Sequence, residues 1–107
     1  MNKSPTQLTL NLLRKEGCQL VQVVETWNPH ARIRQDLFGI IDVLAIRDGE
    51  TIAVQSTSWD NTSARIRKIA DSDAITFLRL AQWTILVHGW RKNPKTKRYE
   101  NKTIDIS

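Results

Sequence analysis

Apolar residues near the start of the chain recur at helical spacing, with Leu8, Leu10, Leu12 and Leu13 between Ser4 and Gly17. Ser4 and Gln7 have capping-box spacing, Pro5 falls at the first helical position, where a missing N–H is harmless, and Gly17 ends the helix. The period then shortens. "CQLVQVVETW" predicts a first strand in which Leu20, Val21, Val23 and Val24 serve both faces, and "NPHARIRQD" reads as a polar, basic connection. Residues 38–46 and 51–57 are rich in Ile and Val and predict two central strands, joined at Asp48-Gly49, a strong hairpin signal. After Ser58 the pattern turns helical. Asn61 or Thr62 caps a segment with Ile66, Ile69 and Ala70 facing inward, "DSD" at 71–73 breaks it, and "AITFLRLA" predicts a second short helix. "WTILVHGW" is a further strand, "RKNPKTKR" a basic turn, and "YENKTIDIS" an edge strand. The order α-β-β-β-α-α-β-β implies one α/β domain over residues 1–107, a mixed sheet with helices packed on it.

Within the central hairpin three polar residues interrupt the apolar runs. With Asp48 and Gly49 as the loop, Arg47 pairs with Glu50, Ile46 with Thr51 and Leu44 with Ala53, and the count puts Asp42 opposite Gln55. Opposed residues share a face, with Cβ atoms about 4.5–5.5 Å apart, and Thr57 lies diagonally from Asp42 on the same face. A buried carboxylate between apolar strands is costly without a partner. It either bonds to Gln55 as a structural pair or faces a cation. An Asp carboxylate, a Gln carbonyl and a backbone carbonyl, here that of Ser56, are suitable hard ligands for Mg²⁺.

Composition narrows the choice. Hydrophobic residues make up 40% of the chain, as in a folded protein. Sixteen Lys and Arg against eleven Asp and Glu leave a formal charge of +5, which suits a polyanionic partner, nucleic acid first. Cys18 is the only cysteine, so no internal disulfide or cysteine-based zinc site forms, in keeping with a cytoplasmic protein. No segment has the apolar length of a membrane span, and "MNKSPTQLTL" lacks the apolar stretch of a signal peptide.

A carboxylate on one strand, a short hairpin, and then an acid-x-lysine triplet on the next is the layout of the PD-(D/E)XK nuclease superfamily. "FGIID" resembles its resolvase-type segment with a glycine a few residues before the catalytic aspartate, and "IAVQSTS" resembles the "VEVKS"-like strand that follows. Holliday-junction resolvases and VRR-type nucleases share the layout, and the chain looks like small phage-encoded and bacterial members of this group. The resemblance spans residues 25–90 and implies a restriction-endonuclease-like fold, a Mg²⁺- or Mn²⁺-dependent endonuclease of duplex or branched DNA, and a homodimer. It assigns Asp42 and Gln55 as metal ligands, with the Ser56 carbonyl as a third. Asp36 and Glu25 are the further acids, ranked ahead of Glu16. Two departures stand out: Gln55 replaces the usual acid, and Thr57 replaces the lysine that positions the attacking water or stabilises charge at phosphorus. Lys68 or Arg65, on the helix after the strand, is the replacement the resemblance suggests.

Arg32 and Arg34 precede the hairpin, and Arg65, Arg67 and Lys68 follow it, where a phosphate backbone would pass. Trp59, directly after "QSTS", either stacks on a base or packs over the site. Arg91, Lys92, Lys95, Lys97 and Arg98 crowd the last turn as a binding surface or an ordinary solvated face. His30 and His88 offer a general acid or base, but a single histidine at a loop or a strand end reads first as a structural or surface residue. Two alternatives to a nuclease stay open: a nucleic-acid-binding protein on the same fold with weakened catalysis, and an interaction module in which Asp42 and Gln55 form a structural pair.

Overall fold

The computed structural model describes residues 3–107, beginning with helix α1 (Pro5–Lys15). The Ser4 hydroxyl accepts the N–H of Gln7 at 3.1 Å, the expected N-terminal cap. The Gln7 side chain donates to Asn11 instead of returning to Ser4, so the box is not reciprocal. Seven strands follow: β1 (Leu20–Val23), β2 (Thr26–Asn28), β3 (Ile33–Gln35), β4 (Val43–Arg47), β5 (Glu50–Ser58), β6 (Thr84–Lys92) and β7 (Tyr99–Asp105). Between β5 and β6 run a 3₁₀ turn (Trp59–Asn61) and helices α2 (Thr62–Ala70) and α3 (Ala74–Leu80). Among the described residues no helix is long and apolar enough to cross a membrane.

Five strands form one mixed sheet in the order β1-β4-β5-β6-β7, antiparallel except for the parallel β5–β6 pair. A parallel pair needs a crossover, which the 3₁₀ turn and two helices supply. The central strand β5 is covered on both faces, and alternation sorts its residues. Ile52 and Val54 pack with Val43, Ala45, Leu10 and Leu13 beneath α1. Ala53 packs with Ile69, Ile75, Leu78, Ile85 and Val87 beneath α2 and α3. The turn residues Asp48 and Gly49 both have positive φ, and the register Arg47↔Glu50 through Leu44↔Ala53 is the one the two-residue loop demands.

Three sequence expectations give way. The segment "NPHARIRQD" is not wholly a connection, because β2 and β3 form a separate two-stranded ribbon. Its register puts Trp27 opposite Arg34, and Trp27 and Ile33 stay exposed. No core selected these residues, so hydrophobic alternation could not announce them. The strand expected from residue 38 begins only at Val43, because residues 37–41 turn tightly, with Phe38 and Gly39 at positive φ. Phe38 is consequently 56% exposed. Finally, Ala70 ends α2 on its exposed side, while Ile69 carries the burial.

Candidate functional site

The hairpin register holds as far as Val43↔Val54 and then breaks. Asp42 donates its own N–H to the carbonyl of Val54, so two successive residues share one partner. The ladder ends one step short of the expected Asp42–Gln55 pair. The extra residue re-aims the Asp42 carboxylate along β5, where it meets Gln55 and Ser56 together.

Asp42 is 2% exposed and richly bonded. The Ser56 N–H lies 3.1 Å from Oδ1 and 3.2 Å from Oδ2, the Ser56 hydroxyl donates to Oδ2 at 2.9 Å, and Gln55 Nε2 donates to Oδ2 at 3.1 Å. Since the Ser56 proton is committed to Asp42, the Thr6 hydroxyl at 3.2 Å is the donor to Ser56 Oγ. A relay Thr6→Ser56→Asp42 therefore ties the first turn of α1 to the head of β4.

Burial lifts the Asp42 carboxyl from its ordinary range to about 7, although both donors of Ser56 pull it down. The carboxylates of Asp36 and Glu25 raise it further. Both of these acids have a cation of their own. Glu25 Oε1 is 2.8 Å from Arg34 Nη1, and Asp36 Oδ2 is 3.7 Å from Lys68 Nζ.

These groups line one open pocket of about 480 Å³, walled by Pro5 and Thr6 of α1, Glu25, Arg34 and Asp36 from the β2–β3 region, Asp42, residues 55–58, Asn61, Arg65 and Lys68. The structure thus brings together Asp42, Gln55, Ser56, Thr57, Asp36, Glu25, Arg34, Arg65 and Lys68. Arg32, at positive φ in the β2–β3 turn, Arg67 on the outer side of α2, and Trp59 lie outside its lining. Glu16 caps the far end of α1, away from the pocket. Thr57 is 5% exposed and lines the wall. Sequence reasoning missed Thr6, whose partner Ser56 is fifty residues distant, and no local pattern could have linked them.

One buried side-chain polar atom is unsatisfied among the described residues: Gln55 Oε1. Leaving a buried carbonyl oxygen without a donor costs about 1–3 kcal/mol. Two partners suit it. The amide can turn, so that a protonated Asp42 donates to Oε1, or a hard cation can take Oε1 together with Asp42. The second fits Mg²⁺ or Mn²⁺, since Mg²⁺ commonly uses only one or two protein carboxylates and fills its shell with waters and substrate phosphates. Among the described residues no three His, Cys, Asp or Glu side chains gather closely enough to hold an ion by themselves. Asp36 and Glu25 stand near Asp42 but face their own cations.

A second polar network lies under α1. The Trp90 indole N–H donates to Thr9 Oγ1 at 3.0 Å, and the Thr9 hydroxyl shares a hydrogen bond of 3.0 Å with His88 Nδ1. Burial depresses the His88 pKa to about 4, so the ring is neutral and structural. His30 lies in the exposed turn between β2 and β3. Comparison with protein-family models, with curated proteins and with solved structures yields no match to this chain.

Proposed function

We propose that the pocket is a nucleic-acid phosphodiester site and that the chain is a small, metal-dependent endonuclease on a PD-(D/E)XK-type frame, with DNA as its substrate. The observation that carries this reading is the meeting of Asp42 and Gln55 at the mouth of the hairpin, with Lys68 lining the same pocket. The architecture supports it. A helix precedes three antiparallel strands, and a helical crossover leads to a fourth strand parallel to the third, with β2–β3 and β7 as additions.

In this reading each group has a role its chemistry suits. A divalent ion held by Asp42 and Gln55 Oε1 would supply a water of lowered pKa. Lys68, tethered by Asp36 across 3.7 Å, replaces the lysine that Thr57 displaces and answers negative charge building at phosphorus. Arg34 and Arg65 hold the phosphates on either side. Cutting two strands suits two copies of so small a chain.

A second reading, nucleic-acid binding without cleavage, is favoured by Thr57 and by the two donors Ser56 directs at Asp42. Incubation with plasmid, branched DNA and RNA, with Mg²⁺ or Mn²⁺, separates the readings. Cleavage that disappears in both Asp42→Asn and Lys68→Ala supports the nuclease. Salt-sensitive binding without cleavage supports the second reading, and the absence of both at low salt leaves Asp42–Gln55–Ser56 as a structural network.

A further inference from the structure

Trp59 begins the turn directly after Ser58, the last pocket residue of β5, yet it faces away from the pocket lining. Its ring is already occupied. The Arg91 guanidinium lies 3.8 Å from the ring centroid and the Lys102 ammonium 4.7 Å from it. Two like charges on one indole repel each other. Cation–π attraction of about 0.5–1 kcal/mol per exposed cation offsets part of that. Glu100 neutralises only Arg91, at 3.0 Å, and among the described residues no carboxylate pairs with Lys102.

The arrangement is built from beneath. Gly89 leaves a hollow on β6: a Cβ there would lie 2.4 Å from Thr62 Oγ1 and 3.2 Å from Lys102 Cγ. Thr62 fills the hollow and donates to the Trp59 carbonyl at 2.7 Å, which fixes the turn. Thr57, Gly89 and Lys102 stand in one row across three strands, so Lys102 is two strand spacings, roughly 10 Å, from the pocket residue Thr57.

We propose that Arg91 and Lys102, aligned on Trp59, form an accessory phosphate seat for the nucleic-acid backbone that enters the pocket. The inference rests on the nucleic-acid reading of the pocket and extends its footprint across β6 and β7. Trp59 acts here as a platform for cations rather than for a base. A phosphodiester placed beside them answers the charge of Lys102, which no carboxylate pairs among the described residues, and releases counterions.

The test is fluorescence anisotropy of a labelled DNA duplex across a salt series, without divalent ions, so that binding is read apart from cleavage. Arg91→Gln with Lys102→Gln keeps much of the aliphatic bulk, and circular dichroism and thermal melting check the fold. The expected result is a salt-dependence slope smaller by about 1.8, two phosphate contacts at about 0.9 each, with affinity at least tenfold lower at low salt. The control pair Lys95→Gln and Lys97→Gln, on the adjacent turn, should change the slope by less than half as much. An unchanged slope in the first pair, or an equal loss in the control, overturns the seat. Arg34→Gln with Lys68→Gln, titrated alongside, separates the two ideas. If that pair binds like the parent while Arg91→Gln with Lys102→Gln does not, Arg91 and Lys102 hold DNA independently of the pocket, and both the pocket reading and the seat's accessory role fall.

Discussion

Ser56 turns both of its donors on Asp42, the N–H at 3.1 Å from Oδ1 and the hydroxyl at 2.9 Å from Oδ2. The relation spans two strands and depends on the break in the ladder at Val54. It lets a nearly fully buried carboxylate exist in a sheet core, and it sets the behaviour of the site with pH.

The pKa of Asp42, raised to about 7, has a definite sign in stability. Between about pH 4 and pH 7 the folded protein binds a proton that the unfolded chain has released, so this residue's contribution to stability falls as pH rises through that window and is flat above it. A shift of about three units corresponds to roughly 4 kcal/mol at most. Asp42→Asn cannot titrate. Urea unfolding at pH 4.5 and pH 8 should show the variant gaining stability relative to the parent at the higher pH, and equal differences at both would refute the assignment. If a divalent ion binds Asp42, adding Mg²⁺ or Mn²⁺ at pH 8 should stabilise the parent and not the variant.

Ser56→Ala removes the hydroxyl and strands Thr6. The expected cost is about 1–2 kcal/mol, one charge-assisted hydrogen bond plus the loss of the Thr6 link. Because the lost donor lowers the Asp42 pKa, that pKa should rise further, and any cleavage activity should shift its acid limb to higher pH. A pH–rate profile with an unmoved acid limb would mean that Asp42 is not the group seen in catalysis.

Much of this site was legible before the fold was known, and the limits have physical causes. The Asp48–Gly49 turn carried the register correctly through Val43, since a two-residue loop leaves no freedom. It failed at Asp42 because a bulge is decided by tertiary packing around residues 37–41, which no periodicity records. Thr6 and the ribbon of Trp27 with Arg34 escaped for related reasons: one acts through a contact fifty residues away, and the other pairs without burying an apolar face.

Gly89 predicts a steric effect free of backbone strain, since its φ is not in the left-handed region. An added Cβ would meet Thr62 Oγ1, and Thr62 can yield only by giving up its bond to the Trp59 carbonyl. Gly89→Ala should therefore cost about 1–3 kcal/mol in thermal or urea unfolding. Thr62→Ala in the same chain should recover part of that loss, because it removes the clashing atom. Additive losses in the double variant would show that the clash is not with Thr62.

The role proposed for Lys68 gives the sharpest prediction. If Lys68 has taken over the task that Thr57 cannot perform, Lys68→Ala should lower cleavage at least a hundredfold, the scale of losing one group that stabilises transition-state charge. Duplex binding should fall far less, since one phosphate contact among several is lost. Asp36→Asn frees Lys68 from its 3.7 Å partner and should reduce cleavage less than Lys68→Ala does. The decisive variant is Thr57→Lys combined with Lys68→Ala. Thr57 lies two residues after Gln55 on β5 and lines the same pocket, so a lysine there can present its ammonium to a phosphate beside Asp42. Restored cleavage in the double variant, with Thr57→Lys alone folding normally, would show that the two positions serve one function. A folded double variant that binds DNA and stays inactive would show that Lys68 holds the nucleic acid without acting on the reacting phosphate.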